Sequence, residues 1–304
     1  MVLTKMTISQ DILETVNKKQ SIDVALIWKT IRRFILYILM ILAVLWSVLP
    51  LAWVLISSLK PDTETYAFAQ DQNILPQEPT FDNYQTLFKV TRFGLWLRNS
   101  TLMATGTTLA VVFFGAMAAY SLTRFKIPGF ELFSRLTLIA YMMPPIILIV
   151  PLFFLLFRLG LVNSLWGLFL VYTATRLPFG IWLLRSYFIG IPQELEDAAM
   201  VDGATRFQAF YRVILPQALP GMISTGIFVF SVTWHEFLFA SILLFSPSKQ
   251  TLSAGVATFL SEDWIYSWGM LMAAGVMISL PLVLFYMFLQ RYLIAGWGGG
   301  GLKG

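Results

Sequence analysis

Two groups of residues in this 304-residue chain have side chains able to do chemistry. One is a run of acids, Glu194, Glu196, Asp197 and Asp202, set around Ala198, Ala199 and Gly203. The other is a scatter of polar residues inside apolar stretches: Arg176, His235 and Glu236, with the hydroxyls of Tyr141, Tyr172, Ser231 and Thr233. His235 beside Glu236 is the nearest thing to a general acid and base. Adjacent residues on a helix project about 100° apart, however, which is poor geometry for joint proton transfer. With no Cys and a single His, thiolate nucleophiles, disulfides, Cys-type zinc sites and multi-His metal sites are excluded. The run Gly298 to Gly301 is followed by Leu302 and Lys303, with no Gly-Lys-Ser/Thr, so it cannot cradle a phosphate. Neither catalysis nor a cofactor is expected in this chain.

The elements that must position these residues are membrane helices. The chain is 58% hydrophobic and only 12% charged, a balance that few soluble folds could bury. An all-α polytopic membrane protein with six transmembrane helices is expected. The first span is Phe34 to Ile56, and the others lie at about 99 to 120, 132 to 157, 164 to 184, 218 to 245 and 268 to 290. Pro144, Pro145 and Pro151 should bend the third. Gly115 with Ala119, and Gly269 with Ala273, have the spacing of close helix contacts. The net charge of +5 matters less than where the cations lie. Lys and Arg number fourteen in the tails and the loops on their side, against six on the opposite side, with Arg176 inside a span. That asymmetry predicts both termini in the cytoplasm. Residues 1–33 then form a cytoplasmic N-terminal tail, 34–290 the transmembrane domain and 291–304 a cytoplasmic C-terminal tail. The 57–98 loop is external, as a cap over helix ends or a docking surface for an outside protein.

The acidic run belongs to the 185–217 loop, which must lie outside the bilayer. Its six charges from Glu194 to Arg212 would cost well over ~10 kcal/mol to insert, at roughly 2.5–3.5 kcal/mol each. Pro192 suits the first turn of a short helix over 192–202, and Gly203 suits the position past its end. Thr205 to Gln208 has the form of a capping box. Phe207, Phe210, Tyr211 and Ile214 then share a helical face until Pro216 stops the pattern.

This pattern resembles the EAA loop of permease subunits of bacterial ATP-binding-cassette importers. The matching residues are Asp197-Ala198-Ala199, Gly203 and the closing Ile214-Leu215-Pro216. Ser58-Leu59-Lys60-Pro61, Leu177-Pro178-Phe179, Trp234-His235-Glu236-Phe237 and the ending Gly301 to Gly304 are similar to the carbohydrate branch, the shorter maltose-type permease. The resemblance implies that Asp197, Ala198, Ala199 and Gly203, with the acids Glu194, Glu196 and Asp202 around them, dock on a cytoplasmic ATPase and carry its closing motion into the membrane. It implies a second permease subunit, an ATPase dimer holding ATP and Mg, an extracytoplasmic solute-binding protein, and a place in the bacterial inner membrane surrounded by lipid, with no role for nucleic acid. Asp197 departs from the usual Glu, and Arg176 and His235 stand where this branch commonly has Asn.

Arg176, His235 and Glu236 are costly in lipid and should face a cavity or another helix. With Tyr141, Tyr172, Ser231 and Thr233 they either line a substrate path or fix helix packing. A direct pair between Arg176 and Glu236 is disfavoured by a depth difference of ~10 Å at ~1.5 Å per residue. An autonomous secondary transporter or channel is the alternative function. It would need its own coupling-ion site, for which the sequence offers few intramembrane acids. The identity of the sugar or polyol is not legible.

Overall fold

The computed structural model describes residues 2–65, 73–125, 127–262 and 268–298. Among the described residues every regular element is a helix. The first unit ends at residue 57 and consists of a single helix, α1 (Val2–Ser58), whose last residue already belongs to the second unit and whose Trp28–Ser58 portion is long and apolar enough to cross a membrane. Helical backbone is thus continuous through the expected tail and the expected first span.

The second unit contains α2 (Asp62–Thr65), α3 (Asp82–Val90), α4 (Phe93–Arg124), α5 (Phe130–Met142), α6 (Pro145–Arg158) and α7 (Leu165–Ile189). It continues with α8 (Glu194–Val201), α9 (Arg206–Ala209), a π turn (Phe210–Ile214), α10 (Leu215–Trp234), α11 (Leu238–Leu243), α12 (Leu252–Glu262) and α13 (Trp268–Gly298). Its centre is the crossing of α4 and α7, against which α10 packs. Small residues set that approach. A Cβ on Gly180 would lie 2.5 Å from Val111 Cγ1, and one on Gly115 would lie 3.2 Å from Leu184 Cδ1. Ala119, one turn from Gly115, is fully buried, as the small-residue spacing predicts.

The prolines do more than bend the third run. Met143 and Pro144, each preceding a proline, both adopt extended backbone with ψ 128°. Pro145 then opens α6, where its missing N–H costs nothing. The result is a 100° break between α5 and α6, while Pro151 sits inside α6 without interrupting it. Among the described residues five helices can cross a membrane, or six when this bent pair counts as one span.

The fifth span also differs from its apolar run. It occupies Arg206–Trp234 rather than 218–245, and the chain leaves the helix at His235 before α11 begins. Pro216 does not stop the helix. The π turn has already shifted the hydrogen-bond register, with Leu215 N–H donating to Phe210 O, and the proline falls in the first turn of α10.

Within the second unit, the segment from Ser58 onward is tied down by α3. Asn83 Nδ2 donates to Ser58 O at 2.9 Å and Lys60 O at 2.8 Å, and α3 packs on α13 over Gly269.

Candidate functional site

The acidic loop is built by local signals. Glu194, Glu196 and Asp197 occupy the first turn of α8, where carboxylates oppose the positive end of the helix dipole. Pro192 precedes the helix instead of entering its first turn. At the other end Gly203 takes φ +91°, a left-handed conformation that only glycine adopts cheaply. This closes the helix through Gly203 N–H to Met200 O at 3.1 Å and Ala204 N–H to Ala199 O at 3.0 Å. The capping box forms next: Thr205 Oγ1 accepts from Gln208 N–H, and Gln208 Oε1 accepts from Thr205 N–H. Glu194, Asp197, Ala198, Asp202 and Gly203 are exposed, whereas Ala199 is half-buried.

Glu196 points the other way and is only 2% exposed. Its Oε1 accepts the Tyr120 hydroxyl at 2.6 Å, and its Oε2 faces Arg124 Nε at 3.2 Å. That second contact lacks hydrogen-bond alignment and is a Coulomb pair. Arg124 Nη2 also donates to Ile191 O at 2.8 Å, and half-exposed Arg206 approaches Glu196 Oε1 at 4.0 Å. Around this network Tyr120 packs on Phe210 and Phe188, and Ile191, Ile214 and Ala218 complete an apolar cluster. The loop is thereby clamped to the end of α4. The expected shared face of the second helix is divided: Phe210 and Ile214 are buried, whereas Phe207 and Tyr211 are 73% and 61% exposed. The wide π turn after Ala209 rotates the following residues out of the 3.6-residue register.

Within the membrane helices a second carboxylate is held differently. Glu236 Oε2 accepts the Tyr172 hydroxyl at 2.6 Å and Ala240 N–H at 3.2 Å, while its Oε1 accepts Phe239 N–H at 2.9 Å. It thus satisfies free amides at the start of α11. Tyr172 stands one helical turn, about 6 Å, from Arg176. Glu236 is therefore closer to the level of Arg176 than the apolar boundaries implied, because α7 runs on to Ile189 and α10 ends at Trp234. No ion pair joins Arg176 to Glu236 among the described residues. Arg176 and Tyr141 line one cleft of ≈ 400 Å³ with Met143, Pro145, Thr175 and Pro178. His235 is exposed with Nδ1 3.1 Å from Ser231 O, Thr233 is buried, and the Ser231 hydroxyl bonds Ile227 O at 2.6 Å. These three do not border that cleft.

Residues 111–298 match the family described as binding-protein-dependent transport system inner membrane component. This chain belongs to that family. The matched region spans α4 from Val111 onward, the clamped loop and the membrane break at residues 235–237. The permease is 34% identical over 91% of its length to 98% of an inner membrane ABC transporter permease protein, YcjP, of Escherichia coli (strain K12). It is 36% identical over 86% of its length to 95% of the trehalose transport system permease protein SugB of Mycobacterium tuberculosis (strain CDC 1551 / Oshkosh). In fold it is similar to a chain of a bacterial ABC transporter involved in the import of the acidic polysaccharide alginate, with TM-score 0.75, 21% identity and coverage of 86% of this chain and 96% of that one. The permease is a multi-pass protein of the bacterial inner membrane, a translocation component and not itself an enzyme.

Sequence reasoning named Tyr141 and Arg176 for a possible path, but not Pro145 beside them in the cleft, nor Tyr120 and Arg124 as partners of the permease's loop. Tyr120 and Arg124 are four apart at the end of a helix, a spacing that puts both on one face. Nothing local says that Glu196 will meet them. The glycine-rich ending at 299–304 lies outside the described residues.

Proposed function

We propose that this chain forms one half of the translocation path of an ATP-binding-cassette importer for a sugar or sugar-like solute. A second permease subunit completes the path, an extracytoplasmic binding protein delivers the solute, and a separate ATPase dimer holds ATP and Mg. Both termini and the 185–217 loop face the cytoplasm. The supporting observation is the division of labour within α8. Glu196 anchors the helix to α4 by a buried ion pair, while Asp197, Ala198 and Gly203 are left at the surface. A surface held this rigidly can transmit a push to α4 and through it to α7. Relatives named for trehalose, for diacetylchitobiose and for trehalose and maltose support a carbohydrate as the solute.

Asp197→Lys tests the coupling role. The exposed site tolerates the charge change, so the helical fold is retained. Co-purification with the ATPase and ATP-dependent uptake into proteoliposomes are both lost. Normal assembly and uptake by this variant would overturn the reading, as would solute flux through liposomes containing this chain alone.

A further inference from the structure

We propose that Arg176 is a binding residue for an anionic group on the transported solute, which places this permease with carriers of acidic sugars: sugars bearing a carboxylate, sulfonate or phosphate. The inference rests on the importer reading above and specifies its substrate class.

Arg176 is near the middle of α7 (Leu165–Ile189), roughly 16 Å from its start and about 20 Å from its end at ~1.5 Å per residue. A guanidinium at such a depth needs a counter-charge, hydrogen-bond acceptors or a polar cavity. The structure supplies the cavity but not the acceptors. Arg176 lines the ≈ 400 Å³ cleft, yet its Nε is shielded from solvent and has no hydrogen-bond partner among the described residues. The groups that face it electrostatically are Glu236, Tyr172 and Tyr141. Glu236 is the only acid among them; it acts on Arg176 as a charge at a distance, but it forms no ion pair with it among the described residues, and its oxygens are turned to other donors. Its two oxygens accept three donors, the Phe239 and Ala240 amides and the Tyr172 hydroxyl. Tyr172 in turn spends its proton on Glu236. The fork of Arg176 is thus the unclaimed polar group of the cleft, and a planar or tetrahedral anion is what its donor geometry matches.

The rest of the lining fits a sugar attached to that anion. Tyr141 is 40% exposed and its ring sits against Phe179 at 5.1 Å between centroids, which holds it steady as a flat apolar face. Met143, Pro145 and Pro178 add apolar walls. The cleft opens where the chain breaks between α5 and α6, so two consecutive prolines shape it. Its volume lies within the range of small-molecule sites and accommodates one or two sugar rings.

Two probes that differ in one group decide the matter: 4-nitrophenyl β-D-glucuronide, with a carboxylate at the sugar C6, and 4-nitrophenyl β-D-glucoside, with a hydroxymethyl there. Equilibrium dialysis against the purified permease–ATPase complex, without binding protein, measures each through its nitrophenyl absorbance. The glucuronide binds the wild-type complex on the order of tenfold more tightly than the glucoside, the ratio expected of one charge-assisted contact. R176Q and R176M, two replacements of different polarity that protect the test against misfolding of either, reduce that ratio to about one, while R176K retains part of it. A complex that forms but binds both probes equally, prefers the glucoside or binds neither overturns the role of Arg176 and leaves the importer reading standing. So does an R176Q or R176M complex that keeps the preference. A chain that never co-purifies with its ATPase overturns the importer reading, and this inference with it.

Discussion

Glu196 and Glu236 are both shielded carboxylates that accept a tyrosine hydroxyl at 2.6 Å, and the resemblance stops there. Glu196 takes its balancing charge from another helix, through Arg124 of α4. Glu236 takes its remaining donors from the backbone three and four residues ahead of it. The first arrangement is a cross-link between a surface loop and the membrane helices. The second is a local cap that lets a helix restart inside the membrane and leaves the nearby guanidinium of Arg176 uncommitted. A carboxylate satisfied by a cation stiffens the joint between two elements, whereas one satisfied by amides keeps a cation available for a ligand.

That contrast is most easily broken at Arg124. Arg124→Met leaves Glu196 charged, buried and without its close cation, because Arg206 is too distant and too exposed to replace it. A loss of about 3–5 kcal/mol is expected, read from the thermal unfolding midpoint of the purified protein. Adding Glu196→Leu to the same variant should recover most of that loss, since an apolar pair of similar volume often equals a buried ion pair. A double variant no better than the single one would show that the clamp does more than balance charge. The paired substitutions Tyr120→Phe and Tyr172→Phe sharpen the comparison at smaller scale. Each deletes a hydrogen bond to a carboxylate, worth about 1.5–3 kcal/mol. Tyr120→Phe should fall at the lower end, because Arg124 still neutralises Glu196. The reverse order would mean that the two carboxylates have been assigned the wrong kinds of support. Gly203→Ala is the mildest. Space is available for the new methyl group, so the cost is the left-handed backbone alone, about 1–2 kcal/mol, visible as earlier proteolysis of the 194–209 loop.

Much of the loop was legible from short-range chemistry. A glycine after a helical run, Thr-x-x-Gln before another and acids in a first turn act within four residues, and each took the conformation its neighbours dictate. The double proline was legible as a bend, though its 100° angle was not, because two successive residues both had to leave the helical region. The face of the second helix was misread at Tyr211 because its period assumed an unbroken α-helix, and the π turn changes the count within it, whereas Phe207 precedes that turn and faces outward from α9.

The sequence by itself determined that this chain is a multi-span membrane protein, which stretch stays out of the lipid and where that stretch turns. Those outcomes depend on solvation energies and backbone preferences that act residue by residue. Tertiary structure alone decided which carboxylate met a cation. Glu196 and Arg124 are 72 positions apart and meet because the packing of α4 on α7 brings the end of one helix under the loop that follows the other. The same packing placed Tyr172 against Glu236 and left Arg176 facing a cleft. Charge identity is written in the chain, but a partner is chosen by distance, and distance is set by how the helices fit.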